Sequence, residues 1–167
     1  MSRRSPEVPE VDPATLDLSQ TIADIEKIRA VNRHRFEFEL LTAVTQLDPS
    51  QHFIVGYKDT SEQDFWVRGH LPGFPLMPGV LMLEASAQLC GYYLGVTNVA
   101  PGTTLGLGGI ESAKFRRMVR PGDRLVLVGH GLKVDRRLTR FRVIGSVGNE
   151  EAFRVVVLGM PLKGIGS

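Results

Sequence analysis

The sequence predicts an α+β domain in which about six antiparallel strands pack against one long apolar helix. Residues 80–94 contain no proline and one charged side chain, Glu84, and a helix that is apolar on all sides is a buried helix. The last third of the chain divides into strand-like runs separated by short turns. With 167 residues, the chain is long enough for one domain with a substantial core.

The two ends of the chain are predicted to lie outside this domain. Residues 1–19 are polar and contain several prolines, so we expect a mobile N-terminal tail. No apolar run follows Arg3 and Arg4, which argues against a secretory signal peptide. The domain is expected to span residues 20–163, with a short C-terminal tail at 164–167.

A short helix and a hairpin are predicted before the long helix. Residues 21–30 carry one apolar stripe, which consists of Ile22, Ile25 and Ile28. Residues 36–47 are predicted to form a strand, with Phe36, Phe38 and Leu40 on one face. A turn at 48–50 leads to a returning strand at 52–57.

Four further strands are predicted after a loop at residues 98–103. Their expected spans are 105–115, 124–134, 139–147 and 152–162. The glycines at 106, 108 and 109 do not form a dinucleotide-binding loop, because Glu111 stands where a third glycine is required and no helix follows.

Composition excludes several classes of function. The net charge of +2 gives no strong field for nucleic acid or a membrane surface. Cys90 is the single cysteine, which rules out an internal disulfide and favours a reducing, cytoplasmic location; we expect a buried thiol rather than a nucleophile. No spaced Cys/His set predicts a metal site, and no apolar stretch is long enough to span a bilayer.

The most informative stretch is the irregular loop that leads into the long helix. Three prolines and three glycines fall within residues 69–79, so this segment carries His70 on a rigid loop that ends at the helix start. Gln88 lies one turn after Glu84 and can hydrogen-bond its carboxyl group. His70 and Glu84 could be catalytic, or a loop histidine and a rim carboxylate that reaches water. The spacing alone leaves both interpretations open.

This stretch resembles the motif of the FabZ/FabA-type 3-hydroxyacyl-[acyl-carrier-protein] dehydratases, G-H-F-P-G-x-P-x-M-P-G-V followed by E-A-x-A-Q. Residues 69–80 here are G-H-L-P-G-F-P-L-M-P-G-V, and residues 84–88 are E-A-S-A-Q. Residues 113–117 and 120–123 resemble the family's K-F-R-R…P-G-D segment, and residues 34–36 weakly resemble its P-H-R-Y/F-P-F. The resemblance places residues 20–160 in register and implies a hotdog fold, in which the sheet wraps around the central helix.

The residue types fit the elimination of water from a 3-hydroxyacyl thioester. A neutral histidine can take the C2 proton, and a carboxyl group kept protonated by burial can protonate the leaving hydroxyl. The backbone N–H of Gly79 or Val80, at the helix N-terminus, can polarise the thioester carbonyl.

The resemblance implies these same roles residue by residue. His70 would be the base, Glu84 the acid and hydroxyl-binding group, Gly79 the carbonyl donor and Gln88 the residue that orients Glu84. It also implies a homodimer whose site takes its histidine and carboxylate from different subunits, assembled further into a trimer of dimers. No cofactor is expected, because acyl-carrier protein delivers the substrate on its phosphopantetheine arm. The substrate tunnel would be lined by loop residues, namely Leu71, Phe74, Pro75 and Met77.

Several assignments rest on a choice between two interpretations. The basic residues Lys114, Arg116, Arg117 and Arg120 are either a solvated edge or a docking patch for acyl-carrier protein, and we favour docking. His34 could be a ligand, but we favour a structural role at the corner between helix and strand. Glu84 stands where the FabA branch has aspartate, so we expect dehydration without isomerisation.

The sequence departs from the family motif at three positions. Leu71 replaces a phenylalanine, while Arg33 and Glu37 replace prolines. The leading hypothesis remains the dehydratase of type II fatty-acid synthesis. The alternatives are a related dehydratase or thioesterase of a specialised lipid or polyketide pathway, and a non-catalytic acyl-binding or scaffold subunit.

Overall fold

The computed structural model describes residues 10–162, which form one six-stranded antiparallel sheet and a long central helix. The helices are α1 (Ile25–Val31), α2 (Trp66–Gly69) and α3 (Gly79–Val96). The strands are β1 (Ala43–Asp48), β2 (Phe53–Asp59), β3 (Leu105–Phe115), β4 (Arg124–Val134), β5 (Thr139–Val147) and β6 (Glu150–Pro161). The predicted α+β class is confirmed.

The sheet has the strand order β1-β2-β4-β5-β6-β3, with every neighbouring pair antiparallel. β3 therefore lies at one edge, paired with β6 on one side only. The predicted bounds of β3, β4 and β5 agree with the structure, while β6 begins at Glu150, two residues early. The β5–β6 turn is shorter than predicted because Gly148 adopts a φ of 57°, which lets the chain reverse within two residues.

One face of the sheet packs around α3 and forms the main core. Ala85 and Leu89 of α3 have no exposed surface, and they share the core cluster with Ile54, Leu125 and other strand residues. A Cβ atom at Gly56 would lie 2.8 Å from Cδ1 of Leu89, so a glycine in β2 permits this close approach. The predicted burial of the long helix is confirmed.

The predicted strand over residues 36–47 is wrong in its first half. Phe36–Phe38 form a 3-10 turn, and β1 begins only at Ala43. The backbone O of Phe38 and N–H of Leu40 bond to the Gln88 side chain rather than to a strand. Phe36 and Phe38 are exposed, whereas Leu40 is buried, because the turn breaks the alternation that placed all three on one face.

Part of the predicted N-terminal tail is packed against the domain. Residues 10–19 cross the outer face of the sheet, where Val11, Leu16 and Leu18 pack against an apolar cluster. That cluster consists of Ala43, Val55, Tyr57, Val126 and Val128. The alternation of side chains along β1, β2 and β4 leaves apolar groups on the outer face, and the segment covers them. Residues 1–9 and the predicted C-terminal tail at 164–167 lie outside the described residues.

Candidate active site

His70 is held in one orientation at the end of α2. Its backbone N–H donates to the O of Trp66 at 2.8 Å, and the buried Trp66 ring anchors this short helix in the core. Nδ1 of His70 lies 2.8 Å from the backbone O of Leu76. A carbonyl oxygen can only accept, so Nδ1 carries the proton and Nε2 of the neutral ring is left as the basic nitrogen.

The loop after His70 turns through two unusual backbone conformations. Leu71 has a φ of 56° and Gly73 a φ of 83°, and the N–H of Phe74 donates to the O of Leu71. The loop is then fixed by a 2.7 Å hydrogen bond from the N–H of Met77 to the O of Val119. This fixed loop keeps the carbonyl of Leu76 against the histidine ring.

Glu84 and Gln88 lie one turn apart on α3 and are hydrogen-bonded to each other. Nε2 of Gln88 donates to Oε1 of Glu84 at 2.9 Å and to the O of Phe38 at 2.8 Å. Its Oε1 accepts from the N–H of Leu40 at 3.1 Å. Gln88 is 3% exposed, so these bonds also satisfy a buried amide. The contact expected from its spacing is present, and it can orient Glu84.

His34 also contacts Glu84, and this contact is not predictable from local sequence patterns. Its Nε2 lies 3.2 Å from Oε1 of Glu84, although fifty residues separate the two in the chain. The one available signal was the weak motif match at residues 34–36. His34 is therefore part of the site, in addition to occupying the corner after α1.

The charge state of Glu84 differs from the expectation. The hydrogen bond from His34 lowers the pKa of Glu84, burial raises it, and the hydrogen bond from Gln88 lowers it again. The net effect is a pKa below the usual value, because the donors stabilise the carboxylate more than partial burial destabilises it. Within one chain, Glu84 is thus an anion at neutral pH rather than an acid kept protonated by burial.

The N-terminus of α3 presents free backbone donors. Pro78 is its N-cap and supplies no side-chain bond, and the N–H groups of Gly79 and Val80 bond no acceptor among the described residues. A Cβ atom at Gly79 would lie 2.9 Å from the Phe115 ring, so glycine lets β3 approach the helix start. These donors can bind a carbonyl oxygen.

A cavity of about 590 Å³ opens beside Glu84 and runs along α3 towards β3 and β6. His34 and Gln88 also line it, whereas no residue of the loop 70–77 does. Of the predicted tunnel residues, Leu71 and Phe74 are about half exposed and Pro75 is partly buried. Met77 has no exposed surface and packs in the core, so it supports the loop rather than lining a tunnel.

The predicted docking residues differ in how far their charges are already paired. Arg116 forms an ion pair with Glu151 at 2.9 Å, and Arg117 lies 3.3 Å from Glu150. Arg120 stacks over the Phe74 ring at 5.0 Å. Lys114 is exposed and forms no ion pair within residues 10–162. Acidic neighbours thus offset Arg116 and Arg117, which leaves Lys114 and Arg120 as the available charges.

Cys90 is 4% exposed, as predicted, and burial raises the pKa of its thiol. Over residues 10–162, no group of three His, Cys, Asp or Glu side chains is arranged to hold a metal ion. No helix in the same part of the chain has the length and apolar character needed to cross a bilayer.

Comparison with known proteins gives one consistent family. The FabA-like domain matches residues 32–155. A 3-hydroxyacyl-[acyl-carrier-protein] dehydratase FabZ from Clostridium acetobutylicum is 38% identical over 136 residues, covering 81% of this chain and 96% of that protein. The FabZ of Latilactobacillus sakei is 36% identical over 129 residues, covering 77% of this chain and 91% of that protein.

Solved structures show the same fold at low sequence identity. The dehydratase heterocomplex ApeI:P from Xenorhabdus doucetiae aligns with a TM-score of 0.69 and 15% identity, covering 82% of this chain and 91% of that chain. A Streptococcus mutans protein bound to acetyl CoA, smu.793, aligns with a TM-score of 0.59 and 13% identity, covering 78% and 94%. The wrapped sheet and central helix are the hotdog fold.

Proposed function

We propose that this chain, which belongs to the FabZ dehydratases of the FabA-like family, converts (3R)-3-hydroxyacyl-acyl-carrier protein into the trans-2-enoyl product in type II fatty-acid synthesis. The observation that carries the chemistry is the 2.8 Å contact between Nδ1 of His70 and the backbone O of Leu76. The ring Nδ1–H is held by the carbonyl of Leu76, so a basic Nε2 is available for proton abstraction. The motif around it is the one shared with the family.

The reaction needs one proton removed and one delivered. Nε2 of His70 takes the C2 proton, the electron pair forms the C2–C3 double bond, and the C3–O bond breaks as Glu84 protonates the departing hydroxyl, which leaves as water. The cycle closes when His70 returns its proton to Glu84 through solvent. Glu84 must therefore bind a proton before each turnover, although its donors favour the carboxylate.

The start of α3 supplies the third group that the reaction needs, a hydrogen-bond donor for the thioester. An N–H of Gly79 or Val80 would donate to the thioester oxygen, where negative charge grows as C2 loses its proton. One such donor is typically worth about 100- to 1000-fold in rate. The absence of a side-chain cap at Pro78 supports this role.

A shared site in a homodimer is the second part of the proposal. The cavity beside Glu84 includes no residue of the His70 loop, which supports a histidine supplied by another subunit. β3 is a free sheet edge of eleven residues with the exposed apolar side chains Leu107, Ile110 and Phe115, and such an edge is suited to pairing with a second copy. We propose further assembly into a trimer of dimers on the basis of family membership alone.

The remaining partner is acyl-carrier protein, which would dock through Lys114 and Arg120 with a smaller contribution from Arg116 and Arg117. The substrate arm supplies the thioester, so the proposed reaction uses no cofactor. A buried Cys90 thiol is compatible with the reducing conditions of the cytoplasm. Glutamate at position 84 supports dehydration without isomerisation, and a cis-3-enoyl product from the purified protein would contradict that part.

Two inactive variants can test the reaction and the shared site together. Wild type, His70→Ala and Glu84→Gln are assayed with 3-hydroxyacyl-acyl-carrier protein for enoyl formation. We expect turnover by wild type and losses of several orders of magnitude in both variants. The two variants are then mixed after reversible dissociation.

Random reassociation should restore about a quarter of wild-type activity, since half of the dimers are mixed and each mixed dimer has one intact site of two. Sites contained within single chains would give no restoration, because every chain carries one lesion. No turnover by wild type over a range of chain lengths, with acyl-carrier protein still bound, would favour a scaffold role.

A further inference from the structure

Oε1 of Glu84 is shared by two donors. Nε2 of Gln88 reaches it at 2.9 Å and Nε2 of His34 lies 3.2 Å from it. Among the described residues, neither donor bonds Oε2. A carboxylate has about four lone-pair sites, so this arrangement occupies one oxygen and leaves the other for a further partner. The two donors come from different parts of the chain, α3 and the segment after α1.

The two ring nitrogens of His34 have different surroundings. Its Nδ1 is buried and has no hydrogen-bond partner within residues 10–162. Its Nε2 faces Oε1 of Glu84, and a carboxylate oxygen can only accept a hydrogen bond. Nε2 therefore carries a hydrogen and donates it to Glu84.

The backbone that carries His34 is tied to α3 and α1. Nδ2 of Asn32 donates to the O of Gln88 at 3.0 Å, and Asn32 is buried. The guanidinium of Arg35 donates to the O of Asn32 at 2.9 Å and to the O of Arg29 at 3.1 Å. These hydrogen bonds hold the backbone on both sides of His34, so the contact between its ring and Glu84 is built into the fold.

We propose that His34 is a positioning residue for the dehydration, which donates from Nε2 to Oε1 of Glu84 and leaves Oε2 for the 3-hydroxyl group of the substrate. This inference rests on the proposed function for its catalytic consequence. Through His34, the segment before β1 would take part in the reaction.

The donor bonds the carboxyl group of Glu84 throughout the cycle, and the bond strengthens as Glu84 loses its proton. When Glu84 gives its proton to the hydroxyl oxygen, negative charge appears on the carboxyl group, and a fixed N–H at Oε1 stabilises that charge. Hydrogen bonds to charged groups are roughly twice as strong as neutral ones, so the interaction is larger after transfer than before it. Because the same bond also stabilises the resting carboxylate, His34 assists the reaction by restricting the rotation of Glu84, which keeps Oε2 towards the hydroxyl group.

The test compares His34→Leu with His34→Gln, because the Gln amide Nε2 can replace the ring donor but cannot accept a proton. We expect kcat for His34→Leu to fall about 10- to 100-fold with little change in KM, and His34→Gln to recover to within about fivefold of wild type. His130→Gln is the matched control, since His130 is half-buried on the sheet away from the cavity. It should match wild type.

A second readout does not depend on activity. The Glu84 carboxyl carbon is followed by NMR in protein labelled with 13C-glutamate, and its signal is identified by its loss in Glu84→Gln. The other titratable or charged groups that line the same cavity are Arg33 and Cys90, which all the variants retain. We expect Glu84 to titrate at higher pH in His34→Leu than in wild type, with His34→Gln between them.

The two readouts separate the inference from the proposed function. Unchanged titration and unchanged kcat in His34→Leu would overturn the positioning role, whatever the substrate. If the titration midpoint of Glu84 rises in His34→Leu but wild type does not dehydrate the substrate, the contact between His34 and Glu84 is supported and the proposed reaction is refuted. A fall in kcat equal in His34→Gln and His34→Leu, with unchanged titration, would indicate a packing role and contradict the inference.

Discussion

Oε1 of Gln88 accepts a hydrogen bond from the backbone N–H of Leu40 at 3.1 Å, which joins two residues 48 positions apart. The same amide donates to the O of Phe38 and to Glu84. Gln88 therefore holds both the segment before β1 and the carboxyl group of Glu84 in place. Through this residue, the packing of the fold and the geometry of the site depend on each other.

Replacement of Gln88 should cost both stability and activity. Gln88→Ala leaves the N–H of Leu40 and the O of Phe38 without their partner, and each buried unpaired group costs about 1–3 kcal/mol. We expect the free energy of unfolding to fall by about 2–4 kcal/mol in urea titrations. Ser86→Ala is the control, because Ser86 is also buried but, among residues 10–162, its side chain bonds only to the O of Met82 in the same helix. A loss no greater than that of Ser86→Ala would contradict the proposed link.

A methyl group at Gly79 should disturb the proposed thioester donor. In Gly79→Ala the new Cβ would lie 2.9 Å from the Phe115 ring, so either the ring or the helix start must move. We expect kcat to fall by about tenfold or more, and by about 100- to 1000-fold if the donor is lost completely. Adding Phe115→Leu should recover most of the rate, since it removes the ring atoms concerned. If the double variant stays as slow as Gly79→Ala, the clash is not the cause.

The docking proposal predicts that Arg120 affects binding of the carrier rather than the chemistry. Charge reversal in Arg120→Glu should raise KM for the acyl-carrier-protein substrate about 3- to 10-fold at low salt, and the effect should shrink as ionic strength rises. Turnover of a small thioester without the carrier should be unaffected, which controls for the contact between Arg120 and Phe74. Arg137→Glu, in the β4–β5 turn, is the matched surface control. Equal effects on both substrates would indicate that Arg120 supports the loop through its contact with Phe74 and does not bind the carrier.

The segment at residues 10–19 should contribute to stability and not to catalysis. Leu16 and Leu18 are partly buried on the outer face of the sheet, opposite α3. The double change Leu16→Ala and Leu18→Ala should lower the free energy of unfolding by about 1–2 kcal/mol and leave kcat unchanged. Gln20→Ala, at an exposed neighbouring position, should change neither the free energy of unfolding nor kcat. An unchanged unfolding free energy in the double variant would show that the segment does not hold the outer face in solution.

Elements that depend on local interactions are predictable from the amino-acid sequence. The prolines and glycines of residues 69–79 specify an irregular loop before α3, the unbroken apolar run specifies a buried helix, and the turns after Phe115 define the later strands nearly to the residue. The pairing of Gln88 with Glu84 also follows from spacing on one helix. In these regions, φ preferences and hydrophobic periodicity act over a few neighbouring residues.

Three features depend instead on tertiary contacts: the conformation of the segment before β1, the covering of the outer face of the sheet, and the charge of Glu84. Phe36–Phe38 have the composition of a strand, but Gln88 supplies the hydrogen bonds that a neighbouring strand would have offered. The polar appearance of residues 10–19 concealed apolar side chains that the sheet requires. Burial alone would raise the pKa of Glu84, yet His34 reverses that effect from fifty positions away. Each of these depends on a contact distant in sequence, which local pattern cannot encode.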